Sequence, residues 1–136
     1  MEQKRSYYEA YEDRYQQVHR EGVQWFSDSP SKIVGQVIQK YRITKQAEIL
    51  EIGCGEGRDA AYLLKEGYHI LATDLSKEAI DYCKEEFSDF RENFCTLDCL
   101  NESWNKNLIL SMPWQFCICL CWMRTERNSI ISSASI

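Results

Sequence analysis

The sequence predicts an α/β fold, a parallel sheet with flanking helices that is incomplete on its C-terminal side. Three observations carry this. Short apolar runs of strand length alternate with longer segments whose apolar residues recur every three or four positions. The order strand, helix, strand, helix, strand calls for parallel pairing through right-handed crossovers. The apolar run Ile49, Leu50 and Ile52 breaks into Gly53, Cys54, Gly55, Glu56 and Gly57, the pattern of a strand that turns sharply into a helix.

Taken in order, residues 6–24 are polar and helix-compatible, with Tyr7, Tyr8, Tyr11, Tyr15 and Val18 making an aromatic stripe on one face. The stripe suits either packing on the sheet or covering a cleft, and Trp25 and Phe26 could extend such a cover. Ser29 reads as an N-cap with Pro30 at the first helical position, and Ile33, Val34, Val37, Ile38 and Tyr41 mark the buried face of the helix that follows. The first strand comes next. Past the glycines, Ala60, Ala61, Leu63 and Leu64 line a helix that Gly67 closes. Ile70, Leu71, Ala72 and Thr73 form the second strand, Ser76 caps a helix facing inward through Ala79, Ile80, Cys83 and Phe87, and a third strand runs from about Asn93 to Leu97.

The glycine turn is the candidate site. Amides at a helix N-terminus carry partial positive charge, and glycine lets a ligand approach them, so the turn is expected to present bare amides outward. Asp74 ends the second strand about 20 residues past Gly53, the spacing at which a carboxylate on the neighbouring strand reaches both hydroxyls of a ribose. A dinucleotide fingerprint would need a third glycine at position 58, which is Arg58. The glycines run G-x-G-x-G behind an acidic residue, Glu51.

That pattern resembles the first motif of the class I S-adenosyl-L-methionine (AdoMet) methyltransferases, whose fold is Rossmann-like. AdoMet has a sulfonium cation and no phosphate, so a carboxylate at the loop is tolerable where it would repel a pyrophosphate. The resemblance continues through Thr73, Asp74, Leu75 and Ser76, which look like the second motif, and through the stretch from Asn93 to Cys99, which looks like the third strand and its exit. It implies a cofactor site of Glu51, Gly53, Cys54, Gly55, Gly57, Asp74, Leu75, Asp98 and Cys99. Asp74 would hold the ribose, Leu75 one adenine face, Asp98 the adenine amino group, and the Cys99 amide the ring. No catalytic residue is named by it. The continuation through Arg58 and Asp59 is similar to small-molecule enzymes related to thiopurine and tellurite methyltransferases.

Composition narrows the partners. With 136 residues the chain holds one domain at most and is short for a complete doubly wound sheet. A net charge of -5 gives no basic field to gather phosphates, which disfavours a nucleic-acid substrate and favours a small-molecule methyl acceptor. The charged, tyrosine-rich start has no signal-peptide core and no membrane segment follows, so a cytoplasmic setting and reduced thiols are expected for the seven cysteines. His19 and His69 have no partners at ligand spacing, and no metal site is expected.

From residue 107 the texture changes. Cys117, Cys119, Cys121, Trp114 and Trp122 crowd together, and neither this run nor the tail looks like a fourth strand and helix. Codons read from their third base turn Met112 with Pro113 into alanine, Trp114 with Gln115 into alanine, Phe116 with Cys117 into leucine, and Cys117 with Ile118 into histidine or tyrosine. The shifted reading resembles the family's fourth strand, so a frameshift between about Trp104 and Pro113 is expected, leaving the chain truncated. The expected organisation is 1–46, a helical segment covering the cofactor cleft; 47–106, the AdoMet-binding half; and 107–136, an aberrant tail. The expected function is methyl transfer from AdoMet, with catalysis in doubt for a truncated chain. A non-catalytic module binding AdoMet or S-adenosylhomocysteine, and a nicotinamide-dependent oxidoreductase, are the alternatives; the acceptor and oligomeric state are open.

Overall fold

The structure, a computed structural model, describes residues 7–24, 29–98 and 116–119. Helix α1 (Tyr7–Arg20) and helix α2 (Lys32–Lys40) precede strand β1 (Glu48–Ile52). Helix α3 (Arg58–Lys65), strand β2 (His69–Asp74) and helix α4 (Lys77–Glu86) follow. A 3-10 turn (Ser88–Asn93) then leads to strand β3 (Phe94–Thr96), and strand β4 (Phe116–Cys119) is the fourth strand among the described residues. All pairings are parallel, in the order β3-β2-β1-β4.

The β4 strand corrects the expectation that this region resembles no fourth strand. Its backbone pairs with β1 from Ile49 opposite Phe116 to Ile52 opposite Cys119. Alternating apolar residues with a β-branched isoleucine suit an extended backbone, and the outer edge of β1 offers ladder groups to pair with. β2 and β4 therefore flank β1 on opposite sides. In such sheets the chain reverses direction of growth at β1, and ligands bind outside the carboxyl ends of the strands there.

Apolar residues of both sheet and helices fill the core. Ile49, Ile70, Ala72 and Phe94 come from the strands, and Ala60 and Ile80 from α3 and α4, all nearly inaccessible to water. The capping is as expected at α4, where Ser76 Oγ accepts from the Ala79 amide at 3.1 Å. Helix α2 starts later than the Ser29 and Pro30 signal suggests. Ser31 is the N-cap, held extended (φ -70°, ψ 142°), and its side chain does not cap the helix. Its amide and hydroxyl instead donate to the buried Asp59 carboxylate of α3, at 2.6 and 3.0 Å. A charged partner on the next helix thus overrides the local signal.

Two charge-assisted bonds make Asp59 the tie between α2 and α3. Asp59→Ala is expected to cost about 2 kcal/mol, the range for hydrogen bonds to a charged group, less some relief of repulsion elsewhere. Chemical denaturation checks it: an unchanged midpoint would show the Ser31 contacts contribute nothing to stability.

Candidate functional site

The loop from Gly53 to Gly57 leaves the carboxyl end of β1 in a conformation only glycine adopts readily: φ is 79° at Gly53, 57° at Gly55 and 76° at Gly57. Its amides do not face outward unpaired, contrary to the sequence expectation. Gly53 and Cys54 both donate to the Thr73 carbonyl at 2.8 Å, Gly55 donates to Asp74 Oδ2 at 2.8 Å, and Gly57 donates to the Cys54 carbonyl at 3.0 Å. The loop is stitched to the end of β2. A phosphate cradle needs several unpaired amides aimed at one point. This loop spends four of them on its own chain.

Asp74 stands at the centre of that stitching. Its Oδ1 accepts from the Ser76 amide at 2.9 Å while Oδ2 holds Gly55. Burial pushes its carboxyl above the ordinary range, opposed by the amides of Ser76, Gly55 and Leu75. A carboxylate offers about four lone-pair positions, so these amides leave room to accept from a ligand hydroxyl. Leu75, next in the chain, exposes its side chain to solvent, an apolar surface beside a polar anchor. The Leu97 amide donates to the Asp74 carbonyl at 2.9 Å, which brings the β3 exit, with half-buried Asp98, alongside the β2 exit. Cys99 lies outside the described residues.

Glu51 is the electrostatic anomaly. It sits within β1 at 2% exposure, and its Oε2 has no hydrogen-bond partner among the described residues. Desolvation, reinforced by the charges of Asp59 and Asp74 and partly offset by Arg58, pushes its carboxyl up to about 8. A buried carboxyl oxygen without a hydrogen-bond partner is costly, and a ligand that satisfies it relieves the cost.

Cys54 and Cys83 lie together under the loop, both donating to the Gly55 carbonyl, at 3.7 and 3.3 Å. Hydrogen bonding with Cys83, then burial, pushes the Cys54 thiol well above its usual range, so it is a packing group rather than a nucleophile.

Sequence reasoning missed one functional feature. His19, read as having no partners at metal-ligand spacing, lies between two carboxylates far away in sequence, Glu56 of the glycine loop and Glu78 of α4. No helix among the described residues is long and apolar enough to cross a membrane, and none of their acidic, histidine and cysteine side chains group into a metal site.

A sequence model of the methyltransferase domain matches residues 49–131, more than half of the chain. The chain belongs to this family. Within methyltransferases, it is 31% identical over 74 residues to the ribosomal RNA small subunit methyltransferase A of Parabacteroides distasonis, covering 54% of this chain and 26% of the relative. It is 32% identical over 53 residues to the probable S-adenosyl-L-methionine-dependent methyltransferase TehB of Haemophilus influenzae, covering 39% of this chain and 18% of TehB. The chain thus spans about a quarter or less of the length of these relatives. Among solved structures, a protein from work on the conversion of a disulfide bond into a thioacetal group during echinomycin biosynthesis matches with a TM-score of 0.53 and 25% identity. That match covers 71% of this methyltransferase-family chain and 41% of the other.

Proposed function

We propose that this chain forms the cofactor-binding part of an AdoMet-dependent methyltransferase acting on a small molecule. The observation that carries the proposal is the Oε2 of Glu51 near the end of β1, without a partner among the described residues, beside a loop that has four amides already paired. A dinucleotide would bring a pyrophosphate to a site with a buried carboxyl and four loop amides already engaged; AdoMet brings a cation and no phosphate. The residues present therefore fit AdoMet. Asp74 would accept from the ribose hydroxyls, Leu75 would cover one adenine face, and Asp98 with Cys99 would meet the adenine edge. The turn of Gly53, Cys54, Gly55 and Gly57 would pass under the methionine part. When bound, AdoMet supplies an already activated methyl group. The protein's share is then alignment and exclusion of water.

Calorimetric titration with AdoMet, S-adenosylhomocysteine and NAD tests the reading. Binding of the first two is expected; binding of NAD alone overturns it in favour of an oxidoreductase. Asp74→Ala is expected to weaken AdoMet binding by at least tenfold, from the loss of charge-assisted bonds to the ribose and of the tether on Gly55. An unchanged dissociation constant in a folded variant would remove Asp74 from the site.

The small-molecule acceptor is supported by the net charge of -5 and by the acidic side of the groove between α1 and α4, where Glu78, Asp81, Glu85 and Glu86 would repel a phosphate backbone. The similarity to a ribosomal RNA methyltransferase favours the opposite reading. Methyl transfer from radiolabelled AdoMet to small thiols and oxyanions, set against transfer to ribosomal RNA, separates the two. Cytoplasmic location and the division at about residues 46 and 106 belong to the same proposal, as does a tail altered by frameshift. The backbone pairing of β4 is neutral on the frameshift, because a cysteine or tryptophan codon begins with TG and so puts an apolar residue just before it in the shifted frame as well. The intact mass of the native gene product tests it: 16.0 kDa means that the tail is genuine.

A further inference from the structure

Helix α1 grips the two loops of the candidate site from one face. At its middle, Glu12 accepts from Ser76 Oγ and, at 3.3 Å, from the Glu78 amide. Ser76 in turn donates its amide to Asp74, whose other oxygen holds Gly55. Two turns further along α1, His19 is largely buried, with Nε2 2.9 Å from Glu56 Oε2 and Nδ1 2.9 Å from Glu78 Oε1. Its ring stacks on Tyr82, with centroids 4.7 Å apart. Glu56 lies between Gly55 and Gly57 and is itself buried.

The chemistry of the bridge is specific. A neutral imidazole has one N–H and can donate to one of two carboxylates; donation to both needs hydrogen on both nitrogens. Glu12, Glu56 and Glu78 bring three acidic side chains to one place, and the His19 ring stands between two of them with one nitrogen facing each. A glycine-rich loop gains little rigidity from its own side chains, so a buried glutamate tied from outside is a handle on its backbone.

We propose that His19 is a positioning residue for cofactor binding: through Glu56 it couples the seating of α1 to the conformation of the glycine loop. The inference rests on the AdoMet-binding reading above and adds the device that sets the loop. With α1 seated, the bridge at His19 fixes the β1 loop while the Glu12, Ser76 and Asp74 chain fixes the β2 loop. Loss of the ring removes the tie on Glu56 and leaves the backbone bonds of the loop and the Glu12, Ser76 and Asp74 chain in place.

The test is a double-mutant cycle read in ligand affinity. S-adenosylhomocysteine is titrated calorimetrically into the full chain, His19→Gln, Glu56→Ala and the double variant, with the melting temperature of each recorded without ligand. Each single variant is expected to bind about tenfold more weakly, and the double variant no more weakly than the worse single. A purely structural tie would lower the melting temperature and leave the affinity of the folded fraction unchanged, which overturns the proposal. Full multiplication of the two losses also overturns it. Should His19→Gln not fold, Glu56→Ala alone decides, since wild-type affinity in that variant shows that the bridge does not set the loop. If the unmodified chain binds neither AdoMet nor S-adenosylhomocysteine, the AdoMet reading itself falls, an outcome distinct from an unmodified chain that binds and variants that bind equally well.

Discussion

Glu51→Gln is expected to make the free protein more stable at neutral pH while weakening cofactor binding. The folded-state carboxyl titrates at about 8 against an ordinary 4.5, so between those values the folded chain holds a proton that the unfolded chain has released. Stability from this group is fully present below about 4.5 and is lost as pH rises towards 8. At pH 7 the loss is on the order of 3 kcal/mol, with 1.36 kcal/mol for each pH unit. At 2% exposure there is little solvent to screen it. Glutamine keeps the shape of the protonated acid and has nothing to ionise, so the slope should shrink to what Asp74 contributes with the same sign. Urea midpoints across pH 5 to 8 read this directly; parallel curves for the two proteins would show that Glu51 does not titrate in the fold.

The same substitution probes the ligand. If the cation of AdoMet completes the carboxyl, binding at pH 7 expels the Glu51 proton, and the heat of binding depends on the ionisation enthalpy of the buffer. Glu51→Gln should abolish that dependence and weaken binding by at least tenfold, since an ion–ion contact in a dry site is replaced by an ion–dipole one. Equal affinity would mean that the buried carboxyl serves the strand and not the cofactor.

What the sequence made legible follows from the range of the forces involved. The alternation of strands and helices, the Ser76 cap and the buried faces of α2 and α4 are set by neighbours within a few residues, and periodicity reports them. The position of Asp74 beside the glycine loop follows from parallel pairing of β1 and β2. The features that escaped depend on partners distant in the chain. Ser31 caps no helix because Asp59 takes its hydroxyl, the loop amides turn inward because the Thr73 carbonyl and Asp74 are there to receive them, and His19 gains its carboxylates only when α1 lies along α4. The β4 strand was missed for another reason: cysteine-rich composition masked a run whose alternation suits a strand.

Gly57→Ala is expected to be strongly destabilising, and two separable costs make it so. The backbone there has φ of 76°, where an L side chain costs about 1 kcal/mol. The added Cβ would lie 2.9 Å from Cys83 Sγ, 3.0 Å from the Phe94 ring and 3.3 Å from the Phe87 ring, all in or against the core. Overpacking of that kind costs about 1–3 kcal/mol, because none of the three is a flexible end that can swing aside. The sum, about 3 kcal/mol, lowers the melting temperature by about 10 °C in a domain of this size. Gly22→Ala is the control for the first cost alone, since its φ is 71° and nothing lies within 4 Å of the added carbon. It should lose about 1 kcal/mol. Adding Cys83→Ala to Gly57→Ala removes the nearest clash and should recover part of the packing cost but none of the backbone cost. Equal losses for Gly22→Ala and Gly57→Ala would mean that the third glycine serves the turn only. A larger loss at 57, partly reversed by trimming Cys83, means that the missing side chain also lets α4 and β3 close against the loop that carries the site.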